Sequence, residues 1–239
     1  MLVHGNGGGG FRFERMRAHA PAGVRLFAPT LPGFAGADTA MPRTMAGFAQ
    51  ALAGELERAP RPRVALGHGI GGSILLEMLR ERAGAADAVI LHAPVGADLD
   101  RRWFPRLMRP RLVRELGRRA MAAGWLRPLW KRLLFREPVP EAYLRRFFAG
   151  YGACAAFGLM FDLITPEWFA SLRPAASRAA LLWGARERVL RAGQAEKFRR
   201  LLPGARVEIV PGWDHFPMIE RPREYTETVA RLARETLAA

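Results

Sequence analysis

Cysteine is almost absent from this 239-residue chain: Cys154 stands alone. One thiol excludes an internal disulfide and a cysteine-based metal cluster, so a reduced, cytoplasmic protein is the expectation. Lysine is nearly as scarce. Lys131 and Lys197 are the only two, and almost all of the positive charge is arginine. No stretch approaches the roughly 20 uninterrupted apolar residues of a membrane-spanning helix. The first residues, MLVHGNGGGG, have neither the basic region nor the apolar core of a signal peptide. Internal repeats and low-complexity linkers are missing too. Acidic residues are lacking in one segment above all. Residues 101–136 hold twelve Arg and Lys against the single acid Glu115, a local excess of +11 in a chain of net charge +15.

What is present is half apolar, enough for a large packed core. Short β-branched or apolar runs recur, each followed by glycine: Val24–Ala28, Val64–Leu66, Ala88–His92, Ala179–Trp183 and Arg206–Val210. Helical spacing fills the intervals over Met45–Glu57, Gly72–Arg82, Gly193–Leu202 and Arg223–Leu237. That alternation implies parallel βαβ units in an α/β fold with a doubly wound, mostly parallel sheet, whose ligands bind at the carboxyl ends of the strands. About six strands are expected. Residues 98–175 break the alternation with several helical patterns and no convincing strand pair. They read as a helical insertion, a cap or lid, between a core formed by residues 1–97 and 176–239.

The stretch VALGHGIGGSILLEML, residues 64–79, is a strand, a tight turn and a helix. Gly67-His68-Gly69-Ile70-Gly71 has the small-x-nucleophile-x-small spacing of a nucleophile elbow, with the nucleophile itself missing. Three further landmarks accompany it in order: His4-Gly5-Asn6-Gly7, Leu31-Pro32-Gly33-Phe34-Ala35-Gly36, and Gly212-Trp213-Asp214-His215-Phe216-Pro217. Together they resemble the α/β-hydrolase superfamily, specifically its small capped esterases, lactonases and C–C bond hydrolases. The resemblance runs essentially end to end, but the leading hairpin of that fold has no counterpart before His4.

The resemblance implies His215 as the catalytic base, with the backbone N–H groups of Asn6 and Ile70 as oxyanion donors. The orienting acid falls at Glu187, within Gly184-Ala185-Arg186-Glu187-Arg188-Val189, or alternatively at Asp98 after the preceding strand. Asp214 is a poor orienter because adjacent side chains on an extended loop diverge. Gly69 marks a vacant nucleophile position. Ser73, one turn along the helix, is expected to be buried beside the elbow, and nothing near Cys154 in sequence activates it. His68, Trp103, Trp125 and Phe216 are the candidate pocket walls, and no metal or organic cofactor is implied.

Two functions remain open on these residues. One is a hydrolase-like reaction on a small apolar or anionic molecule, with His215 as general base and no covalent serine intermediate. The alternative is a non-catalytic ligand-binding or interaction protein. The basic segment reads first as a solvated helix face. Nucleic acid is disfavoured for want of a recognised motif, and peripheral membrane contact requires apolar and basic faces to be exposed together.

Overall fold

The computed structural model describes residues 1–37, 40–175 and 178–239. Five parallel strands form one sheet among them: β1 (Leu2–Val3), β2 (Val64–His68), β3 (Ala88–His92), β4 (Ala179–Gly184) and β5 (Arg206–Val210). Their spatial order equals their chain order. In the central register Leu66 lies beside Ile90, and Leu91 beside Leu181. Central β3 and β4 are buried along their whole length, as their unbroken apolar runs require of strands covered on both faces.

The helices between strands follow from spacing and caps. In α1 (Met45–Glu57) the buried residues recur at 45, 48, 49, 52, 53 and 56, the stripe of an amphipathic helix. Thr44 closes its start by accepting a hydrogen bond from the Gly47 N–H at 3.0 Å. Behind β2 runs α2 (Ile70–Glu81), buried at every position but its last two, and α1 packs on it. Opposite ends of the chain meet where the C-terminal helix packs on a 3₁₀ segment, Gly10–His19, and on β3.

The expected strand at Val24–Ala28 is not regular structure. It runs beside β1 through one bond, from the Leu2 N–H to the Phe27 carbonyl at 2.7 Å. Pro29 cannot donate, and Val24 and Phe27 remain more than 40% exposed, so neither ladder nor burial completes the strand.

Between β3 and β4 the described residues form six α-helices, α3 (Trp103–Leu107), α4 (Arg111–Ala122), α5 (Arg127–Leu134), α6 (Glu141–Gly152), α7 (Leu159–Leu163) and α8 (Pro166–Ser171), with a 3₁₀ turn at Gly124–Leu126. Described residues 93–175 contain no strand; the expected boundary at 176 lies outside the described residues. The segment divides by burial. Helix α6 buries Tyr143, Leu144, Phe147, Phe148 and Tyr151, whereas α3 and α5 bury no residue fully. Backbone bonds pin the chain after α6 to the early loops, from Gly36 N–H to the Ala153 carbonyl at 2.8 Å and from Ala156 N–H to the Gly33 carbonyl at 2.9 Å. The chain then returns through α9 (Ala195–Leu201), α10 (Pro217–Glu220) and α11 (Pro222–Ala238).

Two tryptophans measure the contrast between core and surface. Trp183 of β4 is fully buried and donates its indole N–H to the Leu190 carbonyl at 2.8 Å. Trp125 is 81% exposed. Trp183→Ala is expected to lower unfolding free energy by about 3–5 kcal/mol, and Trp125→Ala to stay within about 0.5 kcal/mol of wild type. Denaturant titration of the two variants reads the difference.

Candidate active site

The elbow is built by a backbone turn. Gly69 follows the last residue of β2 at φ 57°, ψ −120°, and Ile70 opens α2. A side chain is strained at such a φ, whereas glycine adopts it freely. The Gly69 N–H donates to the His92 carbonyl at 3.0 Å, which ties the turn to the end of β3. A Cβ built on Gly69 would meet only the Gly5 α-carbon, at 3.6 Å, an ordinary contact. There is room at the apex for a side chain that the sequence does not supply.

The acid and the histidine come together because two loops cross closely. At the end of β4, a Cβ on Gly184 would stand 2.3 Å from the Trp213 carbonyl oxygen, so only glycine lets the histidine loop pass there. Arg186 N–H donates to that carbonyl at 2.9 Å and fixes the crossing. One Glu187 oxygen then lies 2.8 Å from His215 Nδ1. Its other oxygen accepts the N–H groups of Val189 at 2.7 Å and Leu190 at 3.0 Å. Burial by itself would raise the Glu187 pKa, but the charge and hydrogen bond of His215 and these backbone donors outweigh it and hold the carboxyl below its usual range. The geometry fixes the imidazole with Nδ1 facing the carboxylate, which leaves Nε2 as the basic atom.

Asp98 does not take part. It turns at φ 57° and pairs with Lys197. Asp214 likewise turns away from the imidazole ring. Its carboxylate accepts from Arg136 Nε at 2.8 Å, Arg188 Nε at 2.5 Å and its neighbour's N–H at 2.9 Å. The loop of residues 4–7, expected to supply an oxyanion donor, is held by the Asn6 side chain, which accepts from Gly7 N–H at 3.0 Å and donates to the Phe157 carbonyl at 3.3 Å. The backbone N–H groups of Asn6 and Ile70 donate to no protein acceptor among the described residues. Below them His4 is structural. Its Nε2 accepts the Leu31 N–H at 3.0 Å, so the proton sits on Nδ1, 3.0 Å from the Gly5 carbonyl.

Of the four expected pocket residues, two are at the site. His68 stacks between His215 and His92, with ring centroids 4.5 and 4.8 Å away, and Phe216 meets His215 edge-on at 4.5 Å. Trp103 and Trp125 are 74% and 81% exposed: their helical turns direct these aromatic side chains into solvent. Neither substitute nucleophile is placed to act. Ser73 is buried and donates to the Val95 carbonyl at 2.7 Å. Burial pushes the Cys154 thiol up to about 11, leaving it protonated at neutral pH. Among the described residues, no cluster of His, Cys, Asp and Glu is arranged to hold a metal ion.

Arg12 escaped the sequence reading. It is 1% exposed, with Nε and Nη2 unpartnered, and its guanidinium lies 4.5 Å from the Phe147 ring centroid. The available signal was an arginine between two phenylalanines directly after the glycine loop.

Three buried histidines give the molecule a pH signature. Burial lowers His4 and His92 to about 3, and burial with the charges of His215, His92 and Arg12 lowers His68 well below 6.5. Unfolded histidines take up protons near pH 6.5; the folded ones do so only at much lower pH, so unfolding takes up protons in between. Stability is therefore expected to fall as pH drops below about 6.5 and to keep falling toward about 3, by up to ~1.4 kcal/mol per pH unit for each histidine. Urea midpoints at pH 7.5, 6 and 5 check the slope; a flat profile contradicts the neutral assignment.

Residues 1–228 match the alpha/beta hydrolase family. No curated protein sequence matches the chain. Among solved structures it is similar to a thermophilic esterase from Thermogutta terrifontis with malate bound, at TM-score 0.69 and 17% identity, over 98% of this chain and 89% of that one. A membrane phospholipase A described as a bacterial virulence factor superposes at TM-score 0.70 and 22% identity, over 100% and 79% of the two chains. A serine hydrolase involved in carbazole degradation does so at 0.71 and 16%, over 98% and 90%. These identities establish a shared fold, and the family match extends across the sheet, the elbow and the histidine loop: the chain belongs to the alpha/beta hydrolase family.

Proposed function

We propose that this chain carries out a hydrolase-type reaction on a small apolar or anionic molecule, with His215 as general base and no covalent enzyme intermediate. The observation that carries the reading is the 2.8 Å contact between Glu187 and His215 beside an apex that has no side chain. In this scheme His215 Nε2 takes a proton from water as the water oxygen attacks the substrate carbonyl. The Asn6 and Ile70 N–H groups receive the developing oxyanion. When the carbonyl re-forms, the leaving group departs with the proton held by the imidazolium, so one water is consumed and the base is restored. The space next to Gly69, where a serine side chain would stand, is where that water sits. A general base of this kind contributes typically 10²–10⁴-fold. Esters, lactones and activated C–C bonds fall within its reach. In this account residues 98–175 are a cap, with α6 as the part that covers the site.

A second reading, ligand binding without turnover, is favoured by one observation: buried nitrogens of Arg12 and His68 lack partners close to the oxyanion loop. Gly69→Ser separates the two. On short and medium acyl p-nitrophenyl esters, Gly69→Ser is expected to gain an acyl burst and a turnover that falls on the order of 10⁴-fold or more when His215→Ala is added. Wild type is expected to show slower, burst-free hydrolysis that is also lost in His215→Ala. Full wild-type activity in His215→Ala would remove the mechanism, and no turnover by either form would give the site to binding alone.

A further inference from the structure

We propose that Arg12 and His68 form a receptor for a small organic carboxylate beside Gly69. The inference rests on the proposed function for the site's location and adds the class of ligand. Arg12 is a buried cation without a counter-ion: no carboxylate lies within ion-pair distance of it among the described residues. Its nearest company is aromatic, with Phe147, Phe216 and Tyr151 ring centroids at 4.5, 5.4 and 5.5 Å from Cζ. Rings supply only part of what water gives a guanidinium, and a buried charge is stabilised when an anion completes it.

The Arg12 guanidinium and the His68 ring meet beside the glycine loop, with Arg12 Nε against Gly8 and Arg12 Nη1 toward Gly5. A methyl group built on Gly5 would stand 3.2 Å from His68 Nδ1 and 3.6 Å from Arg12 Nη1, so both side chains face the same side of that residue. The Gly5 α-carbon is also the atom that a Cβ on Gly69 would meet, at 3.6 Å. Both ring nitrogens of His68 lack partners, and its depressed pKa keeps it neutral, with one N–H to donate. A planar guanidinium fork with a neutral N–H donor beside it suits a carboxylate, whose two oxygens accept in parallel. The aromatic rings around Arg12 suit an apolar body behind the charged end. One unpaired cation matches one carboxylate.

The test measures binding and needs no turnover, so it stands whether or not His215 is a working base. Benzoate and its neutral isostere benzamide are titrated into wild type by calorimetry. Benzoate is expected to bind at least tenfold more tightly than benzamide. Arg12→Met is expected to abolish that preference while melting no lower than wild type without ligand, because it removes an uncompensated buried charge. Arg12→Lys, a point charge without the fork, is expected to retain part of it. Equal binding of the two probes, no binding of benzoate, or a full benzoate preference in Arg12→Met would each overturn the assignment. So would a large loss of melting temperature in both Arg12 variants, which would make the arginine structural.

A second observation stands apart from this site. Large apolar side chains project into solvent along α3, α4, the 3₁₀ turn Gly124–Leu126 and α5, and they keep helical spacing. Trp103 and Leu107 lie four apart, as do Leu112 and Leu116, and Trp125, Leu129 and Leu133 follow at the same interval, all 48–81% exposed. Exposed cations interleave with them at Arg106, Arg109, Arg111, Arg119, Lys131 and Arg132. Apolar and basic faces are therefore exposed together, which is the condition for contact with a membrane surface. The structure assigns these helices to docking on an anionic lipid bilayer. Local charge selects this occupant: Arg114, Arg127 and Arg136 are held by Asp162, Glu141 and Asp214, but Arg106, Arg109, Arg111, Lys131 and Arg132 form no ion pair among the described residues, and this exposed positive row attracts acidic headgroups and repels a second copy of the same face. Sedimentation with vesicles of phosphatidylcholine alone, or with 30% phosphatidylglycerol, reads the interaction. Binding is expected at least fivefold higher on the anionic vesicles, reduced by high salt and by Trp103→Ala with Trp125→Ala. Equal partition onto both vesicles, or no partition together with concentration-dependent dimers in gel filtration, would overturn it.

Discussion

The turn at residue 69 is the constraint on which the site depends. At φ 57° and ψ −120° it converts the direction of β2 into that of α2 within one residue. It aims the apex at the oxyanion loop, and its N–H binds the end of β3. In a hydrolase with a nucleophile at this point the side chain holds the strained conformation for the sake of chemistry. Here the conformation persists with no side chain to present. Glycine relieves the strain, so the turn needs no catalytic group to justify its shape. The site keeps the Glu187–His215 pair near an apex that has no side chain, and in the proposed reaction that pair supplies the base and its orienting acid.

Much of this was legible in the sequence. The apolar run at Ala88–His92 and the alternating segment Arg206–Val210 appear as strands with the same bounds, and the helix at Met45–Glu57 also matches residue for residue. The pairing of Glu187 with His215 followed from a resemblance in loop order, and the geometry brings those two side chains together while Asp98 goes to Lys197. What escaped depended on tertiary placement. Val24–Ala28 has strand composition but lies at an edge, where Pro29 and exposure deny it a ladder. Trp103 and Trp125 have the composition of pocket walls, yet nothing in their spacing says which way a helix turns. Arg12 was hidden by its neighbours in sequence, since its burial comes from rings more than 130 residues away.

The helical segment between β3 and β4 has two kinds of helix, and charge follows the division. Buried α6 brings Phe147 and Tyr151 over Arg12 and the oxyanion loop, where Tyr151 fills the space a Cβ on Gly7 would need. Exposed α3, α4 and α5 hold most of the excess arginine. A row of rings links the two parts, from Phe104 through Phe161 and Phe157 to Tyr151, with successive centroids 6.3, 5.5 and 6.0 Å apart. The outer helices and the oxyanion loop are thus joined by continuous packing.

The central claim is a base that works without a covalent partner, and intact-protein mass spectrometry during ester hydrolysis tests it most directly. Wild type mixed with excess p-nitrophenyl acetate should release nitrophenol in a His215-dependent manner while its mass stays unchanged at every time point. An acetyl adduct that forms and decays at the rate of turnover, mapped to Ser73, Cys154 or any other side chain, would contradict the account.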